Sequence, residues 1–221
     1  VLRLIVTPRR IVEDTSITGG VLDEDDTLHA AGIETGGEVT DATLASSTER
    51  LRTFYRRRGY PSASVTVDAV DTDDPMRVIL VLHIAAGSPR AVAHRQFRVA
   101  PAPTERLRGL LDDYAVGEGD RADEEALARA DHDEQDTLRR SGWDGAELSH
   151  RLLDAGGRTT LVVDVKAGPE VLVRFEGNRR FDAAELTDAL DLAGNDDRAQ
   201  GTLALRIEKY YVERGYLDVR V

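Results

Sequence analysis

Cysteine is absent from the 221 residues of this sequence. Its absence excludes disulfides, thiolate nucleophiles and cysteine-ligated zinc, but it leaves the redox compartment open. Lysine is nearly absent too, because the 29 basic residues include only Lys166 and Lys209. Arginine carries the remaining positive charge in a chain rich in Ala, Asp and Gly, which indicates a high-GC bacterial genome. Aromatic residues make up only 5%, so the core must be built mainly from Leu, Val, Ile and Ala.

Long apolar runs and an excess of basic charge are missing as well. No stretch approaches the roughly 18 apolar residues of a membrane helix, and the opening segment 1–6 is too short for a signal peptide. We therefore expect any signal peptide or membrane anchor to lie outside these residues. A net charge of -12 repels phosphate, which argues against nucleic acid as a partner.

Catalytic and metal-binding motifs are also missing. The sequence contains no G-x-S-x-G, H-E-x-x-H, P-loop or Rossmann glycine pattern, and its five histidines are scattered singly. The acidic loops at 71–74 and 195–197 lack the alternating carboxylates and glycine of a calcium loop, so we interpret them as turns. The sequence therefore predicts a protein that is not an enzyme and that has no catalytic, cofactor or metal site.

A unit of roughly 80 residues recurs along the chain. Three prolines interrupt similar pairs of strand-like segments, and they are 81 and 80 residues apart. These prolines are Pro8, Pro89 and Pro169. A helix-like segment that ends in glycine follows each of them. These glycines are Gly59, Gly142 and Gly215.

Each of these glycines is flanked by a matching pair of large apolar residues. The residue that follows the glycine is always aromatic, namely Tyr60, Trp143 and Tyr216. The residue four positions before it is Tyr55, Leu138 or Tyr211. Glycine adopts the left-handed conformation that ends many helices, and residues one turn apart lie on one helical face. The pattern predicts a helix that stops at the glycine and a strand that begins at the aromatic residue.

Strand and helix signals complete the unit. Period-2 alternation follows the glycine at 62–67 and 216–221, and turn residues at 71–75 and 154–157 lead into apolar runs. The first two units therefore end in hairpins. Upstream, Thr104 and the capping-box spacing at 182–185 predict a short first helix, with a weaker version near residues 22–31. The unit reads strand, helix, helix, strand, strand.

These elements predict an α+β fold of tandem βααββ repeats, each a small three-stranded sheet with two helices packed on one face. The predicted boundaries are 1–7 for the last strand of a preceding repeat, 8–87 for one repeat, 88–167 for a divergent repeat, and 168–221 for a repeat that lacks its last strand. In the divergent repeat Glu134 replaces the Leu51 and Ile207 of its neighbours, so we expect its second helix to be short or displaced. The acidic run 131–136 on that helix is interpreted as a solvated face.

The order of elements and two motifs resemble the POTRA (polypeptide-transport-associated) domain. The third repeat carries a Phe-x-Gly-Asn turn at 175–178 and a Tyr-x-x-x-Gly-Tyr helix end at 211–216. The first repeat matches through 17–20 and 55–60. The second matches only through Phe97 and 138–143, because Val99 and Ala100 stand in place of the glycine-containing pair. The resemblance covers nearly the whole chain, unevenly.

The resemblance implies a periplasmic role in a Gram-negative bacterium. In this family POTRA repeats precede an outer-membrane β-barrel, as in BamA-like and TamA-like assembly factors and two-partner secretion transporters. A parent chain with at least four repeats suggests the BamA-like branch. We therefore expect a region tethered to the outer membrane by a C-terminal barrel outside these residues. The resemblance also implies that it binds unfolded outer-membrane protein clients and accessory lipoproteins.

Exposed sheet edges are the predicted binding surface, because an extended client strand pairs with them by β-augmentation. From the family's strand order, we assign the client edge to the strand after each glycine, at 62–67, 146–152 and 217–221. The predicted edge residues are Ser62, Ala63, Ser64, Val65, Thr66, Val67, Ala146, Glu147, Leu148, Leu217 and Val219. The open third repeat also predicts intermolecular pairing, with strand 1–6 of a neighbouring molecule in the gap.

Arg56, Arg57 and Arg58 form the only concentrated basic patch of the sequence. They suit the negative end of the helix dipole, and they also suit a partner or a lipid headgroup, so both interpretations stay open. Two other functions stay open as well. One is a structural spacer or docking scaffold that binds only folded partners, and the other is a cell-division protein that carries a single such domain.

Overall fold

The computed structural model describes residues 9–171, 173–192, 197 and 199–221. The predicted strand at 1–7 and most of the acidic loop at 195–197 therefore lie outside the described residues. The chain divides into two compact units. The first comprises the residues up to 92 together with 119–125, and the second comprises residues 93–118 and 126–221.

The first unit is a mixed sheet with two helices. Its elements are β1 (Arg10–Thr18), α1 (Glu24–Ala31), β2 (Glu38–Val39), α2 (Asp41–Arg57), β3 (Ser64–Asp71) and β4 (Arg77–Ala85). The strand order is β2-β1-β4-β3, with β4 parallel to β1 and antiparallel to β3. The predicted order of strand, helix, helix, strand, strand is therefore present, and the two-residue β2 is an addition that no sequence pattern indicated.

Alternate residues of β4 and one face of α2 form the core of this unit. Val78, Leu80 and Leu82 are buried on β4 in the same cluster as Leu51 and Tyr55 of α2. Both helices begin at polar caps, where a side-chain oxygen accepts a hydrogen bond from the amide three residues on. Local capping thus starts each helix, and the period-2 pattern of β4 decides which face of the sheet the helices cover.

The second unit contains the other two repeats. Its elements are β5 (Val92–Ala100), α3 (Glu105–Leu111), α4 (Glu124–Arg140), β6 (Glu147–Ala155), β7 (Arg158–Lys166), α5 (Ala183–Leu190) and α6 (Gln200–Glu213). The sheet order is β5-β7-β6, and β6 and β7 form an antiparallel hairpin. The second repeat therefore has the predicted three-stranded sheet. Thr104 caps α3 as its position predicts.

Helix α4 corrects one prediction for the divergent repeat. It has 17 residues, the same number as α2, so it is not shortened. Leu127, Ala130 and Leu138 are buried along it, and Glu134 occupies the same buried face. The apolar residues around Glu134 keep the helix in place, because they supply most of the buried surface that a single carboxylate interrupts.

The third repeat consists of two helices packed around a small apolar cluster. Asp182 and Glu185 form the predicted capping box at the start of α5. Leu186, Leu190 and Ile207 are buried between α5 and α6. Among the described residues after β7 there is no strand. The prediction of a strand at 217–221 is therefore wrong. A strand needs hydrogen-bonding neighbours, and no described strand lies beside this one.

All three long helices end in the same hydrogen-bonded motif. The glycine amide donates to the carbonyl three residues back, and the next amide donates to the carbonyl five residues back, at Gly59, Gly142 and Gly215 alike. This pair of bonds is the Schellman motif, and the three glycines have φ of 84°, 105° and 90°. The aromatic residue after the glycine then contacts the preceding turn, as in the 6.0 Å ring contact of Tyr55 with Tyr60.

The surroundings of these glycines differ, which gives a prediction about stability. A Cβ on Gly59 would lie 2.7 Å from Arg121 Cγ and 3.0 Å from the Ala122 carbonyl oxygen. A Cβ on Gly215 would meet no described heavy atom within 4 Å. We expect Gly215→Ala to lower the free energy of unfolding by about 1 kcal/mol, because the left-handed conformation alone is strained.

Gly59→Ala adds a steric clash to that strain, so we expect it to destabilise its repeat by more, about 2 to 3 kcal/mol. Urea denaturation followed by circular dichroism measures both. Equal destabilisation by the two substitutions would contradict the packing difference between these helix ends.

Candidate polypeptide-binding edges

Strand β3 forms one edge of the sheet in the first unit. It pairs antiparallel with β4 from Ser64↔Ala85 to Asp71↔Val78, and the strand order leaves its other side unpaired within the sheet. Of the residues predicted for this edge, Ser64, Val65, Thr66 and Val67 lie in β3, and Ser62 and Ala63 precede it. The side chains of Val65 and Val67 are buried toward the helices, while those of Ser64 and Thr66 are exposed.

Strand β6 is the corresponding edge of the second repeat. It pairs with β7 from Glu147↔Lys166 to Ala155↔Arg158 and stands last in the strand order. The predicted edge residues Glu147 and Leu148 lie in it. Ala146 is buried just before the strand begins.

The turn between β6 and β7 determines which backbone amides of β6 face outward. Gly156 and Gly157 have φ of 57° and 76°, the conformation of a two-residue hairpin turn. Such a turn is closed by a hydrogen-bonded pair, here Ala155 and Arg158, and bonding then alternates along an antiparallel ladder. The amides of Leu148 and every second residue after it therefore point away from β7.

Side chains of α4 already hold this outward face of β6. Gln135 Oε1 accepts a hydrogen bond of 3.2 Å from the Leu148 amide. Two residues further along β6, His150 Nδ1 lies 2.6 Å from Asp131 Oδ2. The Tyr114 hydroxyl donates to the other Asp131 oxygen at 2.7 Å. We name this set of contacts the α4 clasp, and it ties the edge strand to its helix.

The clasp corrects part of the interpretation of the acidic run 131–136 as a solvated face, because Glu134 is buried and Asp131 is half-buried, whereas His132 and Asp133 are exposed. Asp131 is largely covered by its hydrogen-bond partners, and burial together with that hydrogen bond raises the pKa of Tyr114. Glu134 is only 6% exposed. Burial and the nearby Asp113 carboxylate raise the pKa of Glu134 to about 7. Among the described residues, nothing donates a hydrogen bond to its Oε1.

Among the described residues, the equivalent edge in the first repeat has no such clasp at the matching position. Val65 corresponds to Leu148, since each lies six residues after its glycine and faces the helices. Because the side chains of Val65 and Leu148 face the helices from equivalent edge strands, their amides point the same way. The Val65 amide therefore points away from β4. Arg52 occupies the position of Gln135, and its guanidinium pairs with Glu49 at 2.8 Å. A guanidinium has no acceptor atom, so Arg52 cannot hold that amide.

The basic patch at the end of α2 contacts carboxylates of the segment 119–125 in the same unit. Arg57 Nε lies 3.1 Å from Glu124 Oε2. Arg58 pairs with Asp123 at 3.3 Å and also with Glu125. The Asp123 side chain is 5% exposed, so this pair is well shielded from water. Two of the three patch arginines thus have intramolecular partners that sequence spacing did not reveal.

The described helices and side chains give two further observations. None of the described helices is long and apolar enough to cross a membrane. Within the described ranges, no three His, Cys, Asp or Glu side chains come together as a group that could hold a metal ion.

The fold and its edges define a class of α+β tandem-repeat scaffold with exposed strands. Residues 11–87 match the POTRA family model, which is described as "Surface antigen variable number repeat". The first repeat is therefore a POTRA domain, as its motifs predict. No curated protein matches the chain.

The chain also resembles several solved structures. BamA POTRA3-5 from Haemophilus influenzae has 15% identity and a TM-score of 0.40, over 96% of this chain and 88% of that one. The N-terminal domain of Omp85 from Thermosynechococcus elongatus has 14% identity and a TM-score of 0.36, over 95% and 88%. CdiB from Escherichia coli has 17% identity and a TM-score of 0.31, over 75% and 28%.

The raised pKa of Glu134 predicts how the stability of the second repeat depends on pH. A folded pKa of about 7 lies above the ordinary value of 4.5, so the folded state holds the proton more tightly. The stability that this bound proton contributes is complete below about pH 4.5 and is lost as the pH rises from there through about 7. Over this range we expect the free energy of unfolding to fall by at most about 1.4 kcal/mol per pH unit.

Trp143 is the only tryptophan and lies in the second repeat, so its fluorescence reports this unfolding selectively. Urea denaturation at several pH values measures the slope. The Glu134→Gln variant has no ionisable group at this position. We therefore expect it to lose the part of the pH dependence of the unfolding free energy that Glu134 contributes. A Gln variant with the wild-type pH dependence would contradict the assignment to Glu134.

Proposed function

We propose that this chain is the periplasmic docking region of a BamA-like outer-membrane β-barrel assembly or protein-translocation factor. In this role it binds unfolded outer-membrane protein clients and docks accessory lipoproteins, and it is tethered to the outer membrane by a barrel outside these residues. The observation that carries the proposal is the edge strand β3 of the POTRA domain, which among the described strands pairs with β4 alone. It acts as a binding scaffold and not as an enzyme.

Client binding at β3 uses the backbone. The outward amides and carbonyls of the edge form hydrogen bonds with an extended peptide, which joins the sheet as a fifth strand. Backbone hydrogen bonds do not depend on the side chains of the client, so many client sequences can bind. Each net hydrogen bond contributes only about 0.5 to 1.5 kcal/mol, which keeps binding weak and reversible.

Under this proposal the two edges differ in how easily a client strand can pair with them. Strand β3 is the primary client edge, because Arg52 cannot hold the Val65 amide. Strand β6 is a secondary edge, because a client must first displace Gln135 from Leu148. The basic patch supports docking mainly through Arg56, whose Nη2 donates to the Thr53 hydroxyl of its own helix at 3.2 Å and to no carboxylate of the described residues. Arg57 and Arg58, by contrast, pair with carboxylates.

A structural spacer that binds only folded partners is the second candidate, and the single-domain cell-division type is included in it. The α4 clasp favours this candidate for the second repeat, since a fastened edge presents fewer free backbone groups. The two candidates differ in ligand. A spacer binds a folded accessory lipoprotein and ignores unfolded barrel peptides, whereas a client receptor binds both.

A proline substitution in β3 tests the client edge. Val65 is only 2% exposed, so proline there would also remove a core side chain. Ala69 has the same outward amide by alternation, and its side chain is small. We expect Ala69→Pro to weaken binding of an extended ten-residue barrel-derived peptide by about two- to tenfold, the loss of one backbone hydrogen bond.

Asp68→Pro is the matched control, because the Asp68 amide faces β4 and its loss breaks the existing ladder. We expect Asp68→Pro to lower the melting temperature and Ala69→Pro to leave it nearly unchanged. Fluorescence anisotropy measures the peptide affinity, and circular dichroism measures the melting. Unchanged peptide affinity in a folded Ala69→Pro protein would rule out β3 as the client edge and favour the spacer.

A further inference from the structure

The outer side of strand β1 is a second open edge of the sheet in the first unit. On its inner side β1 pairs with β4 as far as Thr18. On its outer side β2 covers only Arg10 and Ile11, because β2 has just two residues. Among the described residues, no strand pairs with this side from Val12 to Thr18. The open stretch is as long as a short strand.

The hydrogen bonds at Val12 show which backbone groups of β1 face outward. The Val12 amide donates to the Gly37 carbonyl at 2.9 Å, and the Val12 carbonyl accepts from the Gly36 amide at 2.7 Å, both on the side away from β4. The Val12 side chain is buried toward the helices, and those of Thr15 and Ile17 are half-buried on the same face. Residues of one strand whose side chains share a face also share the direction of their backbone groups. The amides and carbonyls of Thr15 and Ile17 therefore point outward.

These outward groups lack a strand partner. The Thr15 amide is held by the neighbouring Asp14, whose Oδ1 accepts from it at 2.8 Å. Among the described residues, the outward amide and carbonyl of Ile17 form no hydrogen bond. Backbone groups that face water at a sheet edge are available to an extended segment of another chain.

The second repeat covers the corresponding edge with its own chain. Val92 forms the same pair of backbone hydrogen bonds as Val12, so Arg95 is the counterpart of Thr15. The Arg95 amide donates to Glu118 Oε1 at 3.3 Å, and the Arg95 guanidinium donates to two carbonyls that follow α3. The connection between α3 and α4 is longer than the connection between α1 and α2. The shorter connection covers β1 only as far as Val12.

A β-bulge sets the charge of the open edge. The register between β1 and β4 shifts between Val12 and Asp14, so Glu13 is an extra residue in β1. The alternation of the strand is interrupted there, and the side chains of Glu13 and Asp14 are both exposed. Neither carboxylate forms a salt bridge with a described residue. The open edge therefore begins with two adjacent negative charges.

This charge decides which partner fits the edge. Opposite charges on neighbouring strands stabilise their pairing, and like charges destabilise it. A second copy of this chain that paired β1 with β1 would bring the carboxylates of both copies together, so the edge disfavours it. An extended segment with Lys or Arg on its solvent face fits instead. Apolar residues at the alternate positions of that segment lie beside Ile17, whose side chain is only half-buried.

We propose that the outer edge of β1, from Glu13 to Thr18, docks an extended basic segment of a partner protein. The segment joins the sheet with its backbone bonded to Thr15 and Ile17 and its basic side chains beside the two carboxylates. It displaces Asp14 from the Thr15 amide, which leaves that carboxylate for a basic side chain. This edge lies on the opposite side of the sheet from β3, so the proposal is independent of client binding there.

Two synthetic peptides test the charge preference. One alternates Val and Lys and the other alternates Val and Glu, and both have about eight residues and blocked ends. We expect fluorescence anisotropy to show that the Lys peptide binds the wild type at least about tenfold more tightly than the Glu peptide. Equal affinity for the two peptides would overturn the proposal.

A charge reversal at the bulge tests the position of the site. We expect Glu13→Lys to weaken binding of the Lys peptide by about two- to tenfold, because it replaces an attraction with a repulsion. Glu176→Lys is the matched control, since Glu176 is an exposed residue of the third repeat and its substitution changes the net charge equally. If both variants weaken binding to the same extent, the peptide responds only to net charge and the proposal is wrong.

A proline in β1 tests the backbone. Ile17→Pro removes an outward amide, and we expect it to weaken the Lys peptide by about two- to tenfold. Ser16→Pro is its control, because the Ser16 amide faces β4 and its loss lowers the melting temperature. An Ile17→Pro protein that is folded by circular dichroism and keeps wild-type affinity contradicts the proposal. Glu13→Lys decides the question if Ile17→Pro unfolds, because Glu13 is exposed at the bulge.

Two further comparisons distinguish other occupants. Because Ala69→Pro alters β3, we expect it to leave the affinity for the Lys peptide unchanged. If Ala69→Pro weakens the Lys peptide and Ile17→Pro does not, the peptide binds at β3 and the β1 proposal fails while client binding stands. Light scattering at up to about 200 µM tests for a second copy at this edge. A wild-type dimer that Ile17→Pro abolishes would identify the second copy as the occupant and overturn the basic partner.

Discussion

The left-handed glycine at the end of each long helix is the constraint on which each repeat depends. It reverses the chain beside the helix that has just ended, so that in the first two repeats the next strand starts there, and the aromatic residue covers the last turn. The carbonyl of this glycine is used as well. Gly59 accepts from the Arg90 amide at 2.8 Å, and Gly142 accepts from the Val171 amide at 2.7 Å, so the end of one repeat also anchors the chain that begins the next.

Local sequence patterns predicted much of this architecture, because the constraints that generate them are local. The terminal glycines, the Thr104 cap, the capping box at 182–185 and the hairpins each depend on residues a few positions apart. Length and position of α4 were harder to predict, since Glu134 looked incompatible with a buried helix face. The apolar residues around it outweigh one carboxylate, and burial raises the pKa of that carboxylate to about 7.

The contacts that distinguish the candidate edges could not be predicted in the same way. Gln135 reaches the Leu148 amide across 13 residues, and Arg58 meets Asp123 across a much longer separation. Polar side chains of these types are common on surfaces, and no periodicity marks which of them will pair. Such contacts decide whether an edge is open, because an edge strand is hazardous to a soluble protein unless something covers or charges it.

The order of strands in a repeat links the central strand to the candidate edge. In βααββ topology the last strand of the repeat in sequence is the central strand in space, so β3 becomes an edge only when β4 lies beside it. The residues at 217–221 occupy the equivalent of β3 in the third repeat, and they form no strand there. The contrast between the two repeats shows the same dependence from both sides. Strand β3 is ordered along the whole length over which β4 pairs with it, whereas the residues at 217–221, with no described strand beside them, form none.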